Sequence, residues 1–223
     1  MICPTRLIER RKIFADCLHL LTQHQPGNDL HIVSEVRIPG GSVDYFLVSV
    51  AKGKVRDFVG IELQTLDTTG TVWPERQRLV RDLGLPRADD AEHSSSSFGM
   101  NWKMTAKTIL MQMHHKVQTF EHVNRKLVLI VQDCLLTYMQ REFSFSHLNS
   151  PALLGDPMHL HAYAMEQVDG GPDLKLSLAT RLSTDADGIA SSLGLQAEAR
   201  VELQQIVDAL QEKISPASLF VPV

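Results

Sequence analysis

The chain has 223 residues, of which 43% are hydrophobic, and carries a formal net charge of −4. A chain of this length usually buries most of its apolar surface in one large domain, so we expect a single domain over residues 1–223. The small negative charge excludes a global cationic field, and any contact with nucleic acid would therefore need a local basic patch.

The first 66 residues predict a helix followed by three strands. Pro4 and Thr5 can open a helix that reaches about Gln23, and a break at QPGND follows it. The apolar stripe of this helix would consist of Leu7, Phe14, Leu18 and Leu21. Alternation of apolar and polar residues then predicts strands over 31–38, 42–51 and 55–66.

The middle of the chain combines an irregular insertion with a long helix. Residues 67–99 are polar and arginine-rich, and Pro74 would suit the first turn of a short helix. An insertion of this length is either an arm that contacts the target or a loop without a function of its own. Residues 101–122 are the strongest helix prediction, with an apolar stripe at helical spacing. That stripe is Trp102, Ala106, Ile109, Met113, Val117 and Phe120, and the opposite side would carry Lys103, Lys107, Gln112 and Lys116.

The remaining third predicts a buried strand, a short helix, a hairpin and a terminal helix. The run KLVLIVQD is apolar on both faces, as in a central strand covered by two layers, and LLTYMQREF predicts a short helix after it. The segments HLHAYAMEQV and DLKLSLATRL flank VDGGPD and indicate a hairpin. Residues 196–214 have the periodicity of an amphipathic helix, so the hairpin and helix together would occupy about 158–214.

The segment IELQTLDTTG carries the candidate chemistry. Strand side chains repeat every two positions, so Glu62 and Gln64 share one face while Ile61 and Leu63 share the other. We expect the apolar face to be buried and the polar face to meet a cleft or solvent. Asp44 lies on the preceding strand, and a turn between the strands would bring the two acids and the amide together. Hydrolysis of a phosphodiester with a divalent cation and a water molecule needs this kind of cluster.

The order helix, three strands, helix, strand resembles the core of the PD-(D/E)XK nuclease superfamily. In this comparison Asp44 and Glu62 match the two motif acids, and Gln64 takes the place usually held by lysine. The segments GGSVDYFLV, FVGIELQTLDTTGT and NWKMTAKTILMQ are similar to the NotI-type restriction endonuclease group, in which glutamine also occupies that third position. The resemblance spans about residues 31–133 and implies an α/β fold whose mixed central sheet is flanked by helices.

The same resemblance implies a type II endonuclease that cuts double-stranded DNA at a specific sequence. Asp44 and Glu62 would hold Mg²⁺, for which Mn²⁺ would substitute, and the Leu63 carbonyl would add a ligand. Gln64 cannot take a proton and would orient the attacking water. In the NotI-type group an acid upstream of the motif aspartate also belongs to the active site, and Glu35 occupies the corresponding position in this sequence. A homodimer would suit two cuts on antiparallel strands, and the group's cysteine-bound iron site is not transferred, because Cys3 is the only cysteine near the start.

Positive charge near the phosphates would come from two further sets of residues. Lys103 and Lys107 lie one turn apart on the helix that follows the motif. The second set is Arg76, Arg78 and Arg81 of the insertion. These arginines either lie on a solvated helix face or contact phosphate or guanine. Two alternatives stay open: a catalytically inactive DNA-binding or assembly module of the same fold, and a nuclease of DNA repair.

Other features bear on compartment and on metals. Cys3, Cys17 and Cys134 are odd in number and form no CxxC pair, which is typical of free thiols in a reducing compartment. The first residues lack the apolar core of a signal peptide, so we expect a cytoplasmic protein without membrane contact. His159 and His161 share a strand face, but the sequence offers no convincingly spaced third zinc ligand.

Overall fold

A six-stranded mixed sheet forms the centre of the computed structural model, which describes residues 4–66, 68–69, 78, 81–82, 84, 99–168, 174–195 and 207. The strands are β1 (Asp29–Ile38), β2 (Gly41–Ala51), β3 (Lys54–Gln64), β6 (Lys126–Gln132), β7 (Met158–Gln167) and β8 (Leu174–Thr184), paired in the order β1-β2-β3-β6-β7-β8. The β3–β6 and β6–β7 pairs are parallel and the others antiparallel. The short strands β4 (Thr68–Thr69) and β5 (Gly99–Met100) pair with each other.

Helices cover both faces of the sheet. They are α1 (Pro4–Leu7), α2 (Lys12–Asp16), α3 (Trp102–His122), α4 (Asp133–Glu142) and α5 (Ala186–Ser192). Side chains from α3, α4 and α5 form one apolar cluster with the sheet, and the amino-terminal helices form a second cluster on the other face. The fold is therefore α/β, with a mixed sheet flanked by helices, as the sequence predicts.

The central strand β6 explains why two clusters exist. All seven of its residues are buried, and they contribute alternately to the two sides. Leu129 packs under α3 and α4, whereas Val128 and Ile130 pack under the amino-terminal helices. A strand apolar on both faces is stable only between two covering layers, so the run KLVLIVQ predicted this position.

The amino-terminal helix differs from the prediction. Instead of one helix to about Gln23, α1 and α2 are separated by a 3-10 turn at Glu9–Arg11, and a second such turn follows at Leu18–Leu20. Arg10 and Arg11 have φ values of 53° and 55°, in the left-handed region that ends an α-helix. The breaks let Leu7, Ile13, Phe14, Cys17, Leu20 and Leu21 all reach the sheet, while Leu18 of the expected stripe is exposed.

Several other expectations can be compared with the structure. The strands, α3, α4 and the hairpin lie within a few residues of their predicted bounds, whereas the short helix α5 was not predicted. The helix expected over 196–214 and most of the 67–99 insertion, including Pro74, lie outside the described residues. Among the helices that the structure describes, none is long and apolar enough to cross a membrane.

Candidate active site

Two acidic residues lie opposite each other on β2 and β3. Glu35 of β1 lies between the pairs Ser34–Tyr45 and Val36–Val43, where its φ of 56° breaks the regular alternation of side chains. Tyr45 pairs with Ile61, and the same register continued by one residue sets Asp44 opposite Glu62. Directly opposite residues of antiparallel strands share a face and lie about 5 Å apart at Cβ. The predicted convergence of Asp44 and Glu62 is therefore present in the sheet.

A hydrogen bond ties the Asp44 carboxylate to β3. The backbone amide of Leu63 donates to Asp44 Oδ2 over 2.8 Å. Asp44 itself is half-buried, so it lies where protein meets solvent rather than in the core. A carboxylate held by a backbone donor keeps a defined orientation while its further lone pairs stay available for a cation or water.

The sequence predicted that the polar face of β3 would meet a cleft or solvent. At Glu62 this prediction was wrong, because the side chain is buried. Glu62 lies beneath α3, where its Oε1 accepts a hydrogen bond from Lys116 Nζ at 2.7 Å. Only 8% of the Lys116 side chain and 6% of the Glu62 side chain are exposed. Lys116 is therefore a buried partner of the motif acid, and its expected place on the exposed side of the helix was wrong.

The sequence contained a signal for Lys116 that the helical pattern obscured. Lys116 follows Met113 by three residues and precedes Phe120 by four, which is the spacing of one helix face. Met113 and Phe120 are both buried against the sheet. A lysine in register with such a stripe has to pair with an acid opposite it or leave its charge unsatisfied.

The turn between β1 and β2 holds this part of α3 in place. Gly40 has φ of +95°, and a Cβ there would lie 3.0 Å from the His115 carbonyl oxygen. Gly41 has φ of +133°, and its Cβ would lie 3.2 Å from Lys116 Cε. Thr119 Oγ1 donates to the Pro39 carbonyl at 2.8 Å. The PGG turn therefore packs against the Lys116 stem, and only glycine allows both the backbone conformation and the close approach.

Burial raises the pKa of Glu62 to about 7. The hydrogen bond and charge of Lys116 oppose this effect, whereas the Asp44 charge adds to it. Desolvation is the largest cause because the carboxylate lies under a helix with little water around it. Glu62 therefore changes charge near neutral pH, which is unusual for a glutamate and is a feature of functional sites.

The donor set of Asp44 and Glu62 fits a magnesium ion. Mg²⁺ in proteins is commonly held by one or two carboxylates together with water and substrate phosphate oxygens. Each of the two carboxylates has one oxygen assigned to a protein donor, Leu63 N–H for Asp44 and Lys116 for Glu62. Across the part of the chain that the structure describes, no group of three or more acidic, histidine or cysteine residues could hold a metal. A cation here would therefore depend on these two acids and on water.

The other predicted site residues take different positions. Glu35 is exposed on β1 with φ of 56°, and it does not join Asp44 and Glu62 in a metal-ligating group within the described ranges. The Gln64 side-chain amide donates to the Thr65 carbonyl at 2.6 Å, at the carboxyl end of β3. Lys103 and Lys107 are exposed on α3, as expected. That the Leu63 carbonyl is a ligand of Mg²⁺ stays a prediction.

Two of the three arginines predicted to contact DNA, Arg78 and Arg81, lie among the described residues. Arg76 lies outside the described residues, and Arg78 is half-buried. Arg81 is exposed and approaches its neighbour Asp82 at 3.4 Å. His159 and His161 are buried and belong to no metal-ligating group among the residues described, so the weak zinc alternative gains no support.

Asp44, Glu62 and Lys116 thus form a compact set of two acids and one ammonium group at the β2–β3–α3 junction. Such a set can hold a cation, stabilise negative charge on a phosphate and titrate near neutral pH. Comparison with models of known protein families gives no match, and no curated protein sequence matches the chain either.

Proposed function

We propose that this protein is a Mg²⁺-dependent DNA endonuclease of type II restriction type, with a PD-(D/E)XK core. The observation that carries the proposal is the cluster of Asp44, Glu62 and Lys116, in which Lys116 Nζ lies 2.7 Å from Glu62 Oε1. Two acids on neighbouring strands with a lysine beside them are the chemical components that phosphodiester hydrolysis with a divalent cation requires. The order of three antiparallel strands, a crossing helix and a parallel strand supports the same assignment.

Each residue has a distinct task in this proposal. Asp44 and Glu62 hold Mg²⁺, and bound Mg²⁺ supplies charge neutralisation at the phosphate and acidifies a coordinated water. Lys116 supplies the positive charge that a lysine at position 64 would otherwise give, and it keeps Glu62 oriented. Gln64 donates through its amide nitrogen to Thr65, so its oxygen is the atom that can accept a hydrogen bond from water.

The raised pKa of Glu62 gives this site a defined pH requirement. Glu62 binds a cation only when ionised, so cation binding and cleavage should strengthen as pH rises through about 7. Lys116 lowers this pKa, and it therefore helps to keep Glu62 charged at neutral pH. Lys116 thus serves both the substrate phosphate and the metal-binding acid.

Cleavage of a large plasmid with Mg²⁺, followed by sequencing of the ends, tests the proposal. The variants Asp44→Asn and Glu62→Gln keep side-chain shape and should each lose activity by a factor of about 100 or more. Lys54→Met is the matched control, because Lys54 is an exposed lysine at the opposite end of β3 from Glu62. Full activity in either acid variant would remove the proposed site, and a defined sequence at the ends would establish restriction-type specificity.

A catalytically inactive DNA-binding or assembly module is the second candidate, and one observation favours it. The Glu62–Lys116 pair is buried, as structural ion pairs are, and Lys116 already takes one Glu62 oxygen. Binding of Mn²⁺ followed by electron paramagnetic resonance separates the two candidates. A nuclease site should bind Mn²⁺ in a manner that Asp44→Asn abolishes, whereas a scaffold should show no binding that depends on Asp44.

A further inference from the structure

A cavity of about 920 Å³ lies between the amino-terminal helices and strand β8. Helix α2 and the turn after it form one wall, the loop 150–154 forms another, and β7 and β8 form the floor. Its titratable lining residues are Lys12, Asp16, His19, His159 and Arg181. Ligand pockets commonly measure about 300–1,000 Å³, so the space suits a small molecule.

This cavity is separate from the candidate active site. His161 Nδ1 of β7 lies 3.9 Å from Cys17 Sγ, so this face of the strand is directed towards the amino-terminal helices. Glu62 lies on the opposite face of the sheet, where it contacts Lys116 of α3. A molecule bound in the cavity would therefore not touch the proposed metal-binding acids.

Arg181 brings a positive charge to the cavity. Its side chain is exposed, and among the residues that the structure describes none forms a hydrogen bond or an ion pair with the guanidinium group. Asp16, the acid of the lining, already accepts hydrogen bonds from Lys12 and Tyr163 on its two oxygens. The cavity therefore favours an anion. Hydroxyl donors of the lining are Ser150, Ser177 and Thr180.

Two buried histidines lie beside Arg181, and each has a ring nitrogen that lacks a partner. His161 pairs with Arg181 across the strands, and His159 lies two residues away on the same face of β7. His161 and His159 are 0% and 1% exposed, and within the described ranges nothing hydrogen-bonds to His161 Nε2 or His159 Nδ1. A buried polar atom without a partner lowers stability, and a molecule that supplies the partner recovers this loss.

The hydrogen bond of His159 fixes which kind of partner it lacks. Its Nε2 lies 3.1 Å from the Asp156 carbonyl oxygen, which can only accept, so Nε2 carries the proton. Burial lowers the pKa of His159 to about 4, so the ring is neutral at pH 7 and Nδ1 is an acceptor. The missing partner is therefore a donor, such as a hydroxyl group.

We propose that this cavity binds a small organic phosphate that also carries hydroxyl groups, such as a sugar phosphate. Arg181 pairs with the phosphate, whose oxygens match the guanidinium donors and can also accept from the hydroxyl groups of the lining. A sugar hydroxyl donates to His159 Nδ1. Because Nδ1 is itself covered, binding requires a local adjustment of the cavity wall.

The spacing of the two anchoring residues suits one small molecule. His161 lies directly opposite Arg181, which makes His159 and Arg181 diagonal neighbours on antiparallel strands. Side chains in this relation lie about 7–8 Å apart and are within reach of each other when they are long or aromatic. A single sugar phosphate can therefore contact Arg181 through its phosphate and His159 through a hydroxyl group.

Titration of the full chain with ribose 5-phosphate, without DNA and without Mg²⁺, tests the proposal. Isothermal titration calorimetry should show saturable binding, and Arg181→Met should raise the dissociation constant about tenfold or more. Arg37→Met is the matched control, because Arg37 is an exposed arginine on β1 at the opposite edge of the sheet, and it should leave the dissociation constant unchanged. Ribose lacks the phosphate and inorganic phosphate lacks the sugar, so each should bind about tenfold more weakly or worse.

Nitrogen-15 NMR of the histidine rings tests the contact with His159 without altering a buried residue. Ribose 5-phosphate should shift the Nδ1 resonance of His159, because a new donor changes the electron density at that nitrogen. An unshifted resonance, no saturable binding up to about 10 mM, equal weakening by Arg181→Met and Arg37→Met, or equal affinity for inorganic phosphate would each overturn the proposal. The nuclease proposal is tested by cleavage and is unaffected by these outcomes.

Discussion

Breaking the buried pair between Lys116 and Glu62 should cost more stability than breaking a surface pair. At 2.7 Å and an effective dielectric constant of about 20, the gross attraction is about 6 kcal/mol, and desolvation of both groups offsets much of it. Without Lys116 the Glu62 side chain is buried either as an unpaired charge or, at a cost of about 1.4 kcal/mol at pH 8, in protonated form, so Lys116→Met should lower the free energy of unfolding by about 1–3 kcal/mol at pH 8. The Arg6–Glu9 pair is the control, with 43% and 48% exposed side chains, and Glu9→Gln should cost at most about 1 kcal/mol.

The double variant Glu62→Leu, Lys116→Met completes the cycle. Replacing both charges by apolar groups removes the unpaired charge, so its stability should lie within about 1 kcal/mol of the starting protein or above it. Urea unfolding followed by circular dichroism measures the stability of the starting protein, of Glu62→Leu, of Lys116→Met and of the double variant. A double variant that loses as much as the sum of the two single variants would show that the pair is not coupled.

The loss of stability caused by Lys116→Met should depend on pH, and the pKa of Glu62 sets the sign of this dependence. Burial raises the Glu62 pKa from 4.5 to about 7, so its contribution to stability is complete below pH 4.5 and is lost as pH rises through 7, a change of about 3 kcal/mol. Lys116 lowers this pKa, so Lys116→Met raises it and makes ionised Glu62 more costly. The destabilisation by Lys116→Met should therefore be larger at pH 8 than at pH 5. Equal losses at the two pH values would refute the reasoning.

Three further outcomes are expected. Mn²⁺ affinity should be weak at pH 5.5 and rise through pH 7 as Glu62 ionises, which isothermal titration calorimetry can follow. Gly60→Ala should lower stability by about 1–3 kcal/mol, because a Cβ there would overlap the Phe120 ring, whereas Gly155→Ala meets nothing within 4 Å and should be near neutral in thermal unfolding. Burial raises the pKa of the Cys17 thiol to about 12, so Cys17 should resist Ellman's reagent at pH 8 until the protein is unfolded.

Local pattern was sufficient to predict most of the sheet and its main helix. The strands around Asp44 and Glu62 alternate in hydrophobicity, and β6 is largely apolar. The burial of each strand can therefore be predicted from its own residues, without knowledge of the residues that pack against it. The turn at Lys52–Gly53 predicts that β2 and β3 pair, but continued without interruption its register would set Asp44 opposite Ile61. A β-bulge between Ser49 and Val50 shifts the pairing by one residue and sets Asp44 opposite Glu62 instead.

The amino-terminal segment shows where local pattern fails. A helix over 4–23 would have buried one stripe, but the second apolar cluster needs Leu7, Ile13 and Cys17 together against the sheet. The left-handed residues Arg10 and Arg11 redirect the chain to achieve this. Burial of several side chains outweighs the cost of about 1–2 kcal/mol for each left-handed residue.

The sequence by itself determined the two strands that carry Asp44 and Glu62, because strand periodicity acts over neighbouring residues. The β-bulge that sets the two acids opposite each other was decided in the folded sheet. Only the tertiary structure decided that Lys116 joins them, since its partner Glu62 is 54 residues away in the chain. A lysine on a helix is ordinarily solvated, and its charge enters the interior only where an acid lies opposite to compensate the lost hydration. That compensation depends on how α3 lies across β3, which is a property of the packed sheet and helix together.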